Sequence, residues 1–308
     1  MKYWIINNTK FGYKNNSKEW SQTMLDYFEN HFIPFIRKHA KPGDKLIHLG
    51  NIFNSSESVN IELLLTVEDL FVKLSSILEV VIIDGYNEKS NISKLLQNTN
   101  QIGEPLIQRI NYVTKEFIPY GHKILDNLPD KGYLFINSRI DKDILKKYTN
   151  ITFFCGYHDD RLEEDNVIYV GAPYQFDKTS DDKGFYVFDV PTKRHKFVKN
   201  NFSPKYNTIT ITDISQIEEL DPEYIDKNKV SVIVDKKLVE EKKIKIDILL
   251  SKYNFKSVNY TNDVQKEELV DSSSMNMEEL IRDKIKNSDN PELMSEFENI
   301  IKIYKEKY

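Results

Sequence analysis

The sequence predicts an α/β protein, and three observations carry that prediction. The runs Tyr3–Ile6, Leu46–Leu49 and Val80–Ile83 are short, β-rich and apolar, and each ends on polar, turn-prone residues. Between them lie helical patterns: Trp20, Met24, Tyr27, Phe28 and His31 recur at 3–4 residue intervals, and Ile61, Leu64, Leu65, Glu68 and Phe71 do so again. The chain has 308 residues, 40% of them hydrophobic, enough to bury a full core. Strands alternating with helices argue for a sheet whose ligand sites lie at the carboxyl ends of its strands.

The remaining elements follow in order. From Gly132 onward helical patterns thin out, and Tyr133–Ile136, Thr152–Cys155, Val167–Val170, Phe185–Asp189 and Lys196–Val198 read as strands. A first domain, residues 1–200, closes near Asn200. In residues 201–270, strands Thr208–Ile211, Val230–Val234 and Ser257–Tyr260 flank a Lys-rich helix, Val239–Ser251, as a small β-α-β appendage. A polar break, Asp271-Ser272-Ser273-Ser274, opens residues 271–308. There Asn276 with Glu279 forms a capping box, and Asn290-Pro291 starts a second helix. Met277, Leu280, Ile281 and Ile285 line one face of the first helix; Leu293, Met294, Phe297, Ile300, Ile301 and Tyr304 line the second.

Composition narrows the function classes. Lysine and arginine number 43 against 48 aspartates and glutamates, a net charge of -5, which argues against a wholly basic nucleic-acid coat. The single Cys155 excludes an internal disulfide or a cysteine zinc cluster and suits a reducing cytosol. No apolar run nears the ~20 residues that span a bilayer, and Met1-Lys2-Tyr3 enters a strand without a signal pattern. A cytoplasmic protein with no membrane partner is expected. No G-x-x-x-x-G-K-[ST] phosphate loop occurs, so the chain is not itself an ATPase of that kind.

Three segments at the ends of the first three strands carry the motif signal: Ile6-Asn7-Asn8-Thr9-Lys10-Phe11-Gly12, Leu49-Gly50-Asn51-Ile52-Phe53-Asn54 and Ile83-Asp84-Gly85-Tyr86-Asn87. Downstream come Cys155-Gly156-Tyr157-His158-Asp159, then Gly171-Ala172-Pro173, then Lys183-Gly184-Phe185. In this order they resemble the D-x-H, G-D-x-x-D, G-N-H-D, G-H-x-H, G-S/T-P and K/R-G-F motifs of the calcineurin-like metallophosphoesterases. The likeness is greatest to the SbcD-type nuclease subunits of double-strand-break repair and phage recombination, and covers nearly the whole chain. It implies a sandwich of two sheets flanked by helices, with a small α+β capping domain and a C-terminal helical pair.

The resemblance also implies what has been lost. The D-x-H aspartate falls on Asn8 and its histidine on Lys10; the G-D-x-x-D aspartates fall on Asn51 and Asn54. The three ligand and catalytic positions of G-N-H-D fall on Gly85, Tyr86 and Asn87, the family's next single histidine on Ser138, and the two of G-H-x-H on Tyr157 and Asp159. The family uses two manganese ions; an amide is a far poorer ligand for a hard cation than a carboxylate. A lysine ~4 Å from a divalent ion would be repelled by roughly 8 kcal/mol at an effective dielectric of ~20. No metal and no catalytic residue are expected. Asp84, Glu88, His158, Asp159 and Asp160 could instead converge on a relocated cation, or be solvated loop residues. His48 reads as a satisfied strand-end histidine, and Cys155 as simply buried.

A non-catalytic, SbcD-like pseudonuclease is therefore expected, a scaffold in recombination or repair. In the family, the terminal helical pair docks onto an SbcC-type coiled-coil ATPase. Here Met277, Leu280, Ile281, Ile285, Leu293, Phe297, Ile300, Ile301 and Tyr304 would form that contact. DNA, and a second copy bound through the amino-terminal helices, are further partners the resemblance implies; if the chain is viral, its compartment is the host cytoplasm. The alternatives are a nuclease or phosphoesterase with a relocated metal site, and a structural viral subunit with an unrelated partner.

Overall fold

The computed structural model describes residues 1–55, 59–86, 107–110, 116–119, 128, 131–140, 142–177 and 181–261. The chain divides into two compact units, Met1–Tyr260 and Thr261–Tyr308. The terminal helical faces expected from Met277 to Tyr304, together with Asn87 and Glu88, lie outside the described residues.

In chain order the strands are β1 (Lys2–Ile6), β2 (Lys45–His48), β3 (Glu79–Ile83), β4 (Ile107–Ile110), β5 (Phe117–Ile118), β6 (Gly132–Ile136), β7 (Ile151–Cys155), β8 (Leu162–Glu164), β9 (Val167–Tyr169), β10 (Gly184–Asp189), β11 (Arg194–Lys199), β12 (Tyr206–Ile211), β13 (Lys229–Asp235) and β14 (Ser257–Thr261). The helices used below are α1 (Lys18–Tyr27), α2 (Ile33–His39), α3 (Ile61–Ser75), α4 (Lys142–Lys147), α5 (Ser215–Glu218), α6 (Pro222–Lys227) and α7 (Lys236–Leu250).

A mixed sheet runs in the order β11-β10-β1-β2-β3-β4, parallel from β1 to β4, with β10 and β11 joined antiparallel. The second sheet, β5-β6-β7-β9-β8, is parallel except for the β8–β9 pair. Strand alternation decides which sheet face meets which layer. Tyr3, Ile5, Ile47, Leu49, Val81 and Ile83 face inward and pack with Phe135, Phe154, Ile168 and Val170 of the second sheet. Trp4, Ile6, Leu46, Val80 and Ile82 face the other way, into a core shared with α1, α2 and α3. The far side of the second sheet buries Leu134, Ile136, Phe153 and Cys155 under Ile144 of α4 and Tyr148. Burial on both faces explains why these strands read as continuous apolar runs. The result is an α/β protein whose two sheets are flanked by helices.

Both helical patterns form helices, and the structure adds a detail to each. The run around His31 is not one α-helix: a π-helical turn, Phe28–Phe32, joins α1 to α2 and keeps Phe28 and Phe32 buried. On α3, Ile61 is 74% and Leu65 54% exposed, while Leu63, Leu64, Val67, Leu70, Phe71 and Leu74 are buried. The helix carries two apolar faces, and only one can meet the sheet. Its start is fixed by Asn60, whose side chain accepts from Glu62 N (2.8 Å) and Leu63 N (3.4 Å).

After Asn200, the strands β12, β13 and β14 form a separate three-stranded sheet in that order, β12 parallel to β13. Ile211, Val232 and Val234 pack there with Ile217 of α5 and with Val239, Ile246 and Leu250 of α7. The expected β-α-β appendage thus has two short helices, α5 and α6, between its first two strands. Buried Asn200 makes the turn leading to it, accepting from Phe202 N (2.9 Å) and Ser203 N (3.0 Å) and donating to Pro173 O (2.8 Å). Among the described residues no helix is long and apolar enough to cross a membrane.

Candidate functional site

The loops after β1 and β2 zip together beyond the ends of their strands. Asn8 N donates to Gly50 O (3.2 Å), Lys10 N to Asn51 O (3.0 Å) and Phe11 N to Ile52 O (2.7 Å). To follow this path Asn8, Lys10 and Asn51 adopt left-handed backbone, with φ of 47°, 47° and 56°. Asparagine tolerates that region better than most residues; lysine does not. Gly50, at φ 97°, allows a closer approach still: a Cβ there would meet Gly85 N at 2.6 Å and Asn137 Nδ2 at 2.7 Å. A Cβ on Gly156 would likewise meet Leu49 O at 2.6 Å and Asn7 Oδ1 at 2.7 Å. Loops from both sheets therefore converge on one point.

At that point four side chains form a chain of hydrogen bonds. Asn51 Nδ2 donates to Asn8 Oδ1 (2.8 Å), and Asn8 Nδ2 donates to Asp159 Oδ1 (2.8 Å) and to His158 O (3.0 Å). Lys10 Nζ donates to the other carboxylate oxygen, Asp159 Oδ2, at 2.5 Å, and lies 5.3 Å from the centroid of the Phe176 ring. Asp159 is itself held from behind. Its carbonyl accepts from Ala172 N (2.8 Å) and from Lys183 Nζ (2.7 Å), and Lys183 Nζ also donates to Asp160 Oδ1 (2.6 Å). The Lys183 side chain is 3% exposed. Each carboxylate meets an ammonium, so the loops carry two neutralised pairs. These pairs are charge-assisted and short, the stronger kind of hydrogen bond.

Of the ten positions singled out in the sequence, Asn8, Lys10, Asn51 and Asp159 meet in this network, Gly85 packs on Gly50, Asn54 N donates to Phe11 O (2.9 Å), and Asn87 lies outside the described residues. Tyr86 and Tyr157 are 59% and 46% exposed, Tyr157 with its ring edge-on to His158. Ser138 Oγ bonds the carbonyl of its neighbour, Arg139. One residue earlier, buried Asn137 donates to Leu49 O and to Gly156 O (3.4 Å), tying the end of β6 to β2 and β7. Asn137, Thr9 and Tyr174 are site residues to which the motifs assign no part. Lys183 was legible only as part of K-G-F.

Thr9 and His48 have the look of a nucleophile and its base, with Oγ1 and Nε2 3.1 Å apart. The hydrogen bonds point the other way. Gly50 N donates to His48 Nδ1 (3.1 Å), so the proton of the neutral ring sits on Nε2 and is given to Thr9. Thr9 Oγ1 in turn donates to Ile52 O (3.1 Å), and Tyr174 OH donates to Thr9 O (2.5 Å). Both side chains are fully buried, and burial pushes the imidazole down to about 3. His48 is thus a satisfied strand-end histidine that fixes the loop and abstracts no proton. Burial also raises Tyr13, with the Asp177 and Asp159 carboxylates adding to the shift.

The donor set does not fit the two metal ions that the resemblance implies. Two amides, an ammonium and one carboxylate occupy the network. Among the described residues no three His, Cys, Asp or Glu side chains group as a metal would require. For a relocated cation, Asp159 and Asp160 are each held by a lysine, and Glu88 lies outside the described residues. No protein-family model matches the chain, and no curated protein matches it.

Proposed function

We propose that this chain is a non-catalytic member of the calcineurin-like, SbcD-type group: a pseudonuclease that keeps the sandwich and serves as a binding subunit in recombination or repair. One observation carries the reading. Lys10 and Asp159 close an ion pair at 2.5 Å where strand ends from both sheets converge, with Asn8 and Asn51 completing its hydrogen bonds. An ammonium and two amides there supply the hydrogen bonding a metal centre would otherwise organise, without its charge. The residues that would meet an SbcC-type coiled-coil ATPase are the terminal apolar faces Met277–Ile285 and Leu293–Tyr304. DNA and a second copy of the chain are secondary partners of the same scaffold.

The test is a calorimetric titration of the purified chain with manganese, run beside a digest of linear double-stranded DNA. The expected outcome is neither binding nor cleavage. Tight manganese binding with metal-dependent cleavage, lost in Asp159→Ala, would overturn the reading in favour of a rebuilt site.

A further inference from the structure

The six-stranded sheet ends on β11, which pairs with β10 on one side only. A strand at a sheet edge presents a row of N–H and C=O groups that a further strand can take up. Among the described residues, no loop and no side chain bonds the outer backbone of Arg194–Lys199. The edge is open along its length.

The side chains of β11 divide by face. His195 and Phe197 point toward the second sheet: the Phe197 ring lies 5.2 Å from that of Tyr186 and 4.5 Å from the Arg161 guanidinium, and His195 Nε2 is 3.8 Å from Glu163 Oε2. Arg194 and Lys196 point to the other face, together with Val198, which packs on the core under the helices. Both are exposed, as is Lys193 in the turn before them. Among the described residues none of these three cations makes an ion pair or a side-chain hydrogen bond. Asp189 stands opposite Arg194 in the register, yet its carboxylate accepts from Thr192 N (3.0 Å) and Thr192 Oγ1 (2.8 Å). Lys199, at the far end of the strand, is by contrast paired with Asp181 at 3.4 Å.

The positive face continues onto α2. Lys196 is in register with Val187 and Val187 with Trp4, and Phe35 of α2 lies 6.0 Å from the Trp4 ring. In the last turn of that helix Arg37 and Lys38 are exposed and likewise unpaired among the described residues. Cations at a helix end answer the helix dipole, and lysine on an edge strand deters pairing with like edges. The second device also selects. A like-charged strand laid along β11 is repelled, and an acidic one is drawn in. Residues two apart on a strand stand about 6.6 Å from one another, so Arg194 and Lys196 match alternate side chains of an added strand.

We infer that β11 is a docking edge for an acidic, extended protein segment, which joins the six-stranded sheet as a further strand and sets alternate carboxylates against Arg194 and Lys196. The inference does not rest on the pseudonuclease reading. β11 runs parallel to β1, so Arg194 lies at the end of the sheet opposite the strand-end loops.

The test is fluorescence anisotropy of a short labelled peptide alternating glutamate and valine, titrated with the full chain at low salt. Saturable binding is expected. The same peptide with lysine for glutamate should bind at least about tenfold more weakly. So should the glutamate peptide N-methylated along its backbone, which keeps the charge and removes the main-chain donors. In the paired variant Arg194→Glu with Lys196→Glu the preference should reverse, the lysine peptide binding about tenfold more tightly than to the unaltered chain. Misfolding cannot mimic that gain. Failure of the glutamate peptide to bind, affinity unmoved by N-methylation, or an unreversed preference would sink the proposal. So would an oligonucleotide duplex binding more tightly than the peptide, which would make the surface a nucleic-acid face. A dimer of the chain in sedimentation that the paired variant dissolves would also sink it, because a second copy would then cover the edge.

Discussion

The loop network around Asp159 and the cavity beside Trp20 both set lysines against carboxylates, and they do so with opposite results. In the network, Lys10 Nζ touches one carboxylate oxygen of Asp159 while Asn8 occupies the other, and Lys183 secures the backbone behind. The two carboxylates, Asp159 and Asp160, are each neutralised by a lysine. In the cavity beside Trp20, Lys14 and Lys256 rest over the Trp20 and Tyr206 rings, and Lys229 bonds Glu19, whose side chain is 64% exposed. Hydrogen bonding makes the first region a structural joint. Exposure leaves the second an open pair at the protein surface. The two lie within one compact unit, so similarity of residue types alone would not have separated them.

The largest expected effect tests the closeness of the joint. Gly50→Ala places a methyl 2.6 Å from Gly85 N on a left-handed backbone. It should cost about 3 kcal/mol of stability in urea unfolding. A loss under about 1 kcal/mol would mean that the loops are not packed at that distance, and the contrast with the open cavity would weaken.

Acid should loosen the joint next. The His48 ring is neutral in the fold, pushed down to about 3 from an ordinary value of 6.5. Between those values the unfolded chain binds a proton that the folded chain refuses, so stability rises with pH across this window and falls as pH drops below about 6.5. The loss at a pH of about 4.5 should reach ~2–3 kcal/mol. Urea titrations at the two pH values, repeated on His48→Gln, provide the check: equal slopes in both chains would clear the ring of the effect.

The smallest effect compares the ion pairs directly. A double-mutant cycle of Lys10→Met with Asp159→Asn should give a coupling of about 1 kcal/mol, kept modest because the Asp159 side chain is 39% exposed. The same cycle on Lys229 and Glu19, with the Glu19 side chain 64% exposed, should give under about 0.5 kcal/mol. Equal couplings would erase the distinction between the more buried pair and the more exposed one.

Much of the framework was legible. The runs from Tyr3 to Ile6, Leu46 to Leu49 and Val80 to Ile83 are strands within a residue or so, because burial on both faces leaves a continuous apolar signature. Short edge strands were not: Phe117–Ile118 and Leu162–Glu164 span two and three residues, too few for any periodicity. The helix over α3 was legible, but not its buried face: Ile61 and Leu65 are exposed, since spacing does not tell which of two apolar faces meets the sheet. At the site, Asn8, Lys10, Asn51 and Asp159 were legible as motif positions, while Asn137 was missed by one residue in favour of Ser138.

The sequence by itself determined the alternation of the longer strands and helices and the chemical character of the strand-end loops: amides and an ammonium at Asn8, Asn51 and Lys10. Only the tertiary structure decided that Lys10 meets Asp159, 149 positions away, and that Lys14 and Trp20 share a cavity with Lys229 and Lys256. The reason is physical. Periodicity records how each segment buries its own surface, whereas the meeting of distant side chains depends on sheet register and on glycines that let loops approach, and these become fixed only when the whole core packs.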